Sequence, residues 1–164
     1  MSIRGIALYT SRALIFAAVV CALYALICRL LRRELRWGWI ARIAYLAALI
    51  EITVLRGGVD WGQVFAGGRP LPQLIPLHTT ILELRGGVWR FIYHTIGNLI
   101  WFVPLGWMLR GKRPWTALLA GAALSAFIEI MQYLLMTGTT DVDDILLNAL
   151  GALLGWGIGR LWKK

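Results

Sequence analysis

The sequence predicts an all-α, polytopic transmembrane bundle of about five helices. Of the 164 residues, 59% are hydrophobic, and the mean hydropathy is +0.70, whereas soluble domains hold about 45–50% apolar residues. The excess falls into runs of roughly the 20 residues that a helix needs to cross a hydrocarbon core about 30 Å thick. Tryptophans stand where those runs begin or end, at Trp37, Trp39, Trp89, Trp115 and Trp162. A membrane–water interface favours amphipathic rings in such places.

The first span covers about 12–31 and carries Cys21 and Cys28 on one face, seven residues apart. They read as small packing residues, with no disulfide framework implied. The run has no small-residue cleavage site before a polar domain, so it reads as a span and not as a cleaved signal. A basic linker follows, with Arg29, Arg32, Arg33 and Arg36. The second span covers about 39–55. The connection 56–90 is long and rich in Gly and Pro. Pro70, Pro72 and Pro76 interrupt any helix there, yet Leu71, Leu74, Ile75 and Leu77 keep it apolar. Such a segment either re-enters the bilayer under cover of protein or lies along the interface. The third span, about 91–109, contains Pro104, which removes a helical hydrogen bond. A basic turn with Arg110, Lys112 and Arg113 precedes the fourth span, about 115–136. An acidic turn with Asp141, Asp143 and Asp144 precedes the fifth, about 145–162. The whole chain reads as a single transmembrane domain.

The net charge is +9. In a soluble protein this would suggest nucleic acid, but here the cations lie between apolar runs and read as topology determinants, with no nucleic-acid partner expected. A cytoplasmic C-terminus puts eleven Lys and Arg inside and six outside. The positive-inside rule therefore predicts the N-terminus outside and the C-terminus in the cytoplasm.

Charged groups at mid-bilayer cost about 2.5–3.5 kcal/mol on insertion scales, so polar residues inside spans need a reason. His94 and Asn98 share a helix face, as do Ser125, Glu129 and Gln132, and as do Asp144, Asn148, Gly151 and Gly155. The predicted topology sets all three groups in the outer half of the bilayer, where antiparallel neighbours can bring them together. Gly151 and Gly155 form a small-residue stripe that lets helix backbones approach closely. Asn and Gln in a membrane helix most often act as interhelical glue, and Asp144 also suits a helix N-terminus. Glu129 has no base one turn away on its own helix, so it is either protonated or paired across helices, with Arg85 or Arg90 as the available cations. Glu51 is expected to snorkel or to pair with Arg56.

These residues resemble the VanZ-like family of small bacterial membrane proteins. Leu74-Ile75-Pro76 is similar to the family's Asn-Leu-Ile-Pro-Phe element, with Gln73 and Leu77 at its flanks. Asn98 with Phe102-Val103-Pro104-Leu105-Gly106 resembles Asn-x3-Phe-x-Pro-Leu-Gly, and Ser125, Glu129 and Gln132 resemble Ser-x3-Glu-x2-Gln. Asp141, Asp143, Asp144, Asn148, Gly151 and Gly155 resemble Asp-x-Asp-Asp-x3-Asn-x2-Gly-x3-Gly. The likeness spans about residues 40–160. It departs at Thr139 and Thr140, where the family usually carries an arginine. The resemblance implies the bacterial cytoplasmic membrane and a role linked to glycopeptide resistance of the teicoplanin type, at the outer face.

Three functions fit these residues. The first is a non-catalytic module whose outward polar cleft binds membrane lipids or lipid-linked cell-wall precursors, with Asn98, Gln132, Asp141, Asn148, Arg85 and Arg90 as its polar contacts. The second is a membrane-embedded enzyme in which Glu129 is a general acid or base assisted by His94 and Asp144. In that reading the carboxylates could instead hold Mg²⁺ or Ca²⁺. The third is a small transporter or flippase with Glu129 as proton relay, which at this length would work as a homo-oligomer or with a partner. No serine-nucleophile motif, zinc spacing or phosphate loop occurs, and no cofactor or resident metal is assigned.

Overall fold

The structure is a computed structural model that describes residues 3–55 and 58–162, with side chains from Ser11 onward. Among the described residues there are seven helices and no strands. They divide into two units, residues 1–60 and 61–164.

The first unit is a helical hairpin of α1 (Ile3–Leu30) and α2 (Trp37–Thr53). A left-handed residue, Arg32, ends α1, and Arg33 N–H returns to the Cys28 carbonyl at 2.8 Å. This closure satisfies carbonyls that the last helical turn leaves open. Near the start of α1, Arg12 meets Glu51 near the end of α2 at 3.3 Å. Glu51 therefore pairs with Arg12. Arg56, the partner expected from sequence, lies outside the described residues. Cys28 is buried and Cys21 half-buried, both as free thiols, and Cys21 Sγ lies 3.7 Å from the Ile40 carbonyl.

The second unit holds α3 (Trp61–Ala66), α4 (His78–Arg85), α5 (Val88–Met108), α6 (Pro114–Leu135) and α7 (Val142–Leu161). Helix α7 packs against both α5 and α6. Its glycines explain how. A Cβ on Gly151 would stand 2.2 Å from the Leu99 carbonyl oxygen, and one on Gly155 would stand 2.0 Å from that of Val103. Gly106 of α5 meets the Ala152 carbonyl oxygen just as closely, at 1.8 Å from an added Cβ. Helices α5 and α7 thus touch backbone to backbone, as small-residue stripes in membrane helices allow. On its other side α7 lays Ala152 against Gly121 of α6.

Helices occupy all five positions where spans are expected, and three of them are long and apolar enough to cross a membrane: α1 from Ser11, α6 and α7. Helix α2 has 17 residues, about 26 Å at 1.5 Å per residue. Helix α5 has 21 residues and carries Arg90, His94 and Asn98. Two findings refine the expected boundaries. The connection 56–90 contains two short helices, α3 and α4, on either side of its proline-rich stretch. The last helix starts at Val142, not Ile145, because Asp141 caps it; Asp143 and Asp144 then lie in its first turn.

Candidate functional site: the acidic start of the last helix

The site is built around three carboxylates in four residues, and each has a different task. Asp141 is the N-cap of α7, its Oδ1 accepting from Asp143 N–H at 2.9 Å. Capping of this kind satisfies an amide that the first helical turn cannot pair. The backbone of Asp141 also takes part in an isolated parallel bridge with Gln73. Gln73 N–H donates to the Thr140 carbonyl at 2.8 Å, and Val142 N–H donates to the Gln73 carbonyl at 3.0 Å. The proline-rich segment is thereby tied to the start of α7.

Asp143 is only 1% exposed. Its Oδ1 accepts from Leu77 N–H, and its Oδ2 accepts from Thr80 N–H at 2.8 Å and from Thr80 Oγ1 at 2.9 Å. Helix α4 has no cap of its own, because Leu77, its N-cap residue, is apolar and left-handed. Asp143 supplies that cap from another helix, and its charge also suits the positive end of the α4 dipole. Gln73 turns its side chain back onto the same turn. Its Oε1 accepts from Ile75 N–H at 3.1 Å, and its Nε2 meets His78 Nδ1.

Asp144 faces α5. Its Oδ1 accepts from Asn98 Nδ2 at 2.7 Å and lies 3.8 Å from His94 Nε2. Both members of the His–carboxylate pair are partly exposed, 19% and 25% at the side chain. His94 Nε2 makes no hydrogen bond in the structure. Among the described residues this is the one contact between a histidine and a carboxylate.

Glu129 is buried on α6 and holds the turn that leads into α7. Its Oε2 accepts from Asp141 N–H at 2.8 Å, and its own carbonyl accepts from Thr140 Oγ1 at 3.3 Å. Thr140 thus ties the turn to α6 with a hydroxyl bond. One turn from Glu129, Ser125 Oγ accepts from Asn148 Nδ2 at 2.8 Å, a buried polar link between α6 and α7. Gln132, also buried, lies with its amide against Gly138.

The expected cations lie elsewhere. Arg90 forms a two-pronged pair with Glu83, at 2.9 and 3.0 Å. The hydrogen-bonded Arg90 guanidinium holds the Glu83 carboxyl below its usual range, and the nearby His94 acts in the same direction. Arg85 is exposed at the end of α4. Among the described residues, no three His, Cys, Asp or Glu side chains converge in a way that would hold a metal ion.

The structure therefore brings together Asp144, Asn98 and His94, and separately Glu129 with Asp141, and Asn148 with Ser125. Sequence reasoning gave no role to Thr80 and none specific to Asp143, because the cap they form joins residues more than sixty positions apart. The acidic spacing was visible, but its partner was not.

No curated protein and no solved structure matches the chain. The VanZ/LLP1 family profile matches residues 42–163, well over half of the sequence and all of the polar cluster. With three helices long and apolar enough to cross a bilayer, this is a multi-pass membrane protein that belongs to the VanZ/LLP1 family.

Proposed function

We infer that this protein is a binding module for the polar part of an envelope lipid or lipid-linked cell-wall precursor, working at the outer face of the bacterial cytoplasmic membrane. The observation that carries this reading is the Asp144–Asn98–His94 contact, a partly exposed polar group among helices that otherwise present apolar side chains. Two further features support it. Leu71, Leu74, Ile75 and Leu77 of the segment anchored to α7 are exposed, Leu71 to 94%. That segment offers acyl chains an apolar surface at the same end of the helices as the polar group. Arg85 forms no ion pair among the described residues and is available to a headgroup phosphate. The likeness to proteins that confer teicoplanin-type resistance fits a role on such precursors.

A second reading, membrane-embedded acid–base catalysis, is favoured by the unbonded His94 Nε2 beside Asp144. Proton transfer needs a titratable ring at that position, whereas binding needs only a hydrogen-bonding side chain.

The two readings separate in a deletion strain challenged with cell-wall antibiotics. Deletion is expected to sensitise the cells, and the wild-type gene to rescue them. Asp144→Asn and Asn98→Leu are expected to rescue no better than empty vector at normal membrane levels. His94→Gln should rescue, because its amide keeps a hydrogen-bonding group beside Asp144; failure of His94→Gln alongside success of Asn98→Leu would favour catalysis. Glu129→Gln should also rescue, since its carbonyl can accept from Asp141 N–H, while Glu129→Ala should not. Full rescue by Asp144→Asn would overturn the site.

Orientation is tested separately in a protein with Cys21→Ala and Cys28→Ala. Thr139→Cys, at an exposed position, should react with a membrane-impermeant maleimide on intact cells. Lys112→Cys should react only after permeabilisation. The opposite pattern would reverse the topology.

A further inference from the structure

Lysines and arginines beside a membrane helix ordinarily set orientation and nothing more. Those at the other end of the second unit, where α5 turns into α6 and α7 ends, line a cavity of about 600 Å³. Its walls include Lys112, Arg113, Thr116, Trp156 and Arg160, and no acidic residue. None of the three cations has a carboxylate partner among the described residues. Two are held in place by aromatic rings. The Arg160 guanidinium lies over Trp156 and that of Arg113 over Trp115, each 5.4 Å from the ring centroid. Stacking of this kind orients a guanidinium while leaving its edge N–H groups open to an anion. The turn itself is pinned to α7, because Trp156 Nε1 donates to the Lys112 carbonyl at 2.9 Å.

We propose that this cavity binds the phosphodiester headgroup of an anionic phospholipid. Three positive charges without a counter-charge, two of them held by aromatic rings, call for an anion, and guanidinium edges match phosphate oxygens in two-point contacts. The Thr116 hydroxyl adds a neutral donor. The cavity is larger than a single phosphate needs and leaves room for a glycerol headgroup. Leu150, Leu154, Ile158 and Leu161 are exposed along α7, so the helix that ends at the cavity presents apolar side chains to lipid tails. Basic pockets between helix ends bind acidic headgroups on this chemistry. On the proposed orientation this end faces the inner leaflet. The inference is independent of the polar cluster at the start of α7, since the two sites share no residue.

The test uses the purified full-length protein in a neutral detergent, with thermal unfolding and native mass spectrometry as readouts. Phosphatidylglycerol is expected to raise the unfolding midpoint and to appear as a bound lipid; phosphatidylcholine and inorganic phosphate are expected to do neither. The double variant Lys112→Gln/Arg160→Gln should need at least tenfold more phosphatidylglycerol for half of the shift. Arg32→Gln/Arg33→Gln, which removes two cations from the first unit, should behave as wild type. Equal loss in both double variants would mean that general positive charge attracts the lipid, and would overturn the site. A shift of the same size with inorganic phosphate would overturn the lipid as ligand. If the first variant does not fold, the wild-type lipid count decides: no retained phosphatidylglycerol sinks the proposal, and Arg160→Lys, which keeps the charge but loses the fork, should retain less than wild type.

Discussion

A Gly155→Ala protein is expected to be severely destabilised, while Gly157→Ala, two residues away, is expected to be unaffected or slightly stabilised. The new Cβ at 155 would lie 2.0 Å from the Val103 carbonyl oxygen and 2.7 Å from its carbon. Both are backbone atoms of α5, so no side-chain rotation can relieve the clash, and the helix itself has to move by an ångström or more. Overpacking in a well-packed interior costs about 1–3 kcal/mol and occasionally more. With backbone on both sides, a loss at the upper end, about 3 kcal/mol, is expected. A Cβ at Gly157 meets no heavy atom within 4 Å, and Ala in place of a mid-helix Gly gains about 0.5–1 kcal/mol from the unfolded chain. The measurement is the unfolding midpoint in detergent, together with the amount of protein in the membrane. The effect should reach the polar site too. Gly151 sits against Leu99, next to Asn98, so parting α5 from α7 lengthens the 2.7 Å bond between Asn98 and Asp144. Equal midpoints for the two variants would mean that α5 and α7 are not in backbone contact.

That close contact was legible in the sequence, and the reason is local. A small residue every fourth position on an apolar helix has few uses other than close approach, so Gly151 and Gly155 announced a helix interface before its partner was known. The same logic placed His94 with Asn98, and Glu129 with Ser125 and Gln132, because residues four apart share a face whatever the fold. Pairing across helices was less legible. The spacing puts Glu129 among polar neighbours, but nothing local shows that its carboxylate faces the amide of Asp141. Arg85 and Arg90 looked like its counter-charges because they were the nearest unassigned cations. In the structure Arg90 has a nearer carboxylate, Glu83, seven residues back along the chain. Glu51 shows a related limit. Its pairing with Arg12 comes from the hairpin of α1 and α2, which returns the chain on itself, and no local pattern announces it. Least legible was the segment 67–77. Its prolines rule out a helix, but its attachment depends on Asp141 and Asp143, and long-range capping leaves no period in a sequence.

Removal of the Asp143 carboxylate is expected to release α4 and the segment before it while leaving α5, α6 and α7 in place. Three donors end on this side chain: Leu77 N–H, Thr80 N–H and the Thr80 hydroxyl. Hydrogen bonds to a charged group contribute about 1.5–3 kcal/mol each, and a buried amide left without a partner costs about 1–3 kcal/mol. Asp143→Ala should therefore destabilise the α4 segment by about 3 kcal/mol or more. Asp143→Asn should fall between, because one of its two ends would present an amide NH₂ where donors already point. Thr80→Val removes only the hydroxyl bond and should cost about 1 kcal/mol. Hydrogen exchange read by mass spectrometry checks this directly. Peptides covering 71–85 should exchange faster in Asp143→Ala, and those from the middle of α6 and α7 should not. Unchanged exchange at 71–85 would remove the capping role. The comparison with Asp144→Asn separates structure from function within one acidic cluster. Asp144 touches Asn98 and His94 and no amide of α4, so its substitution should leave exchange at 71–85 as in wild type and still abolish rescue. Adjacent carboxylates of the same helix turn would then fail for different reasons, one because the proline-rich segment and α4 come loose and the other because the polar contact with α5 is gone.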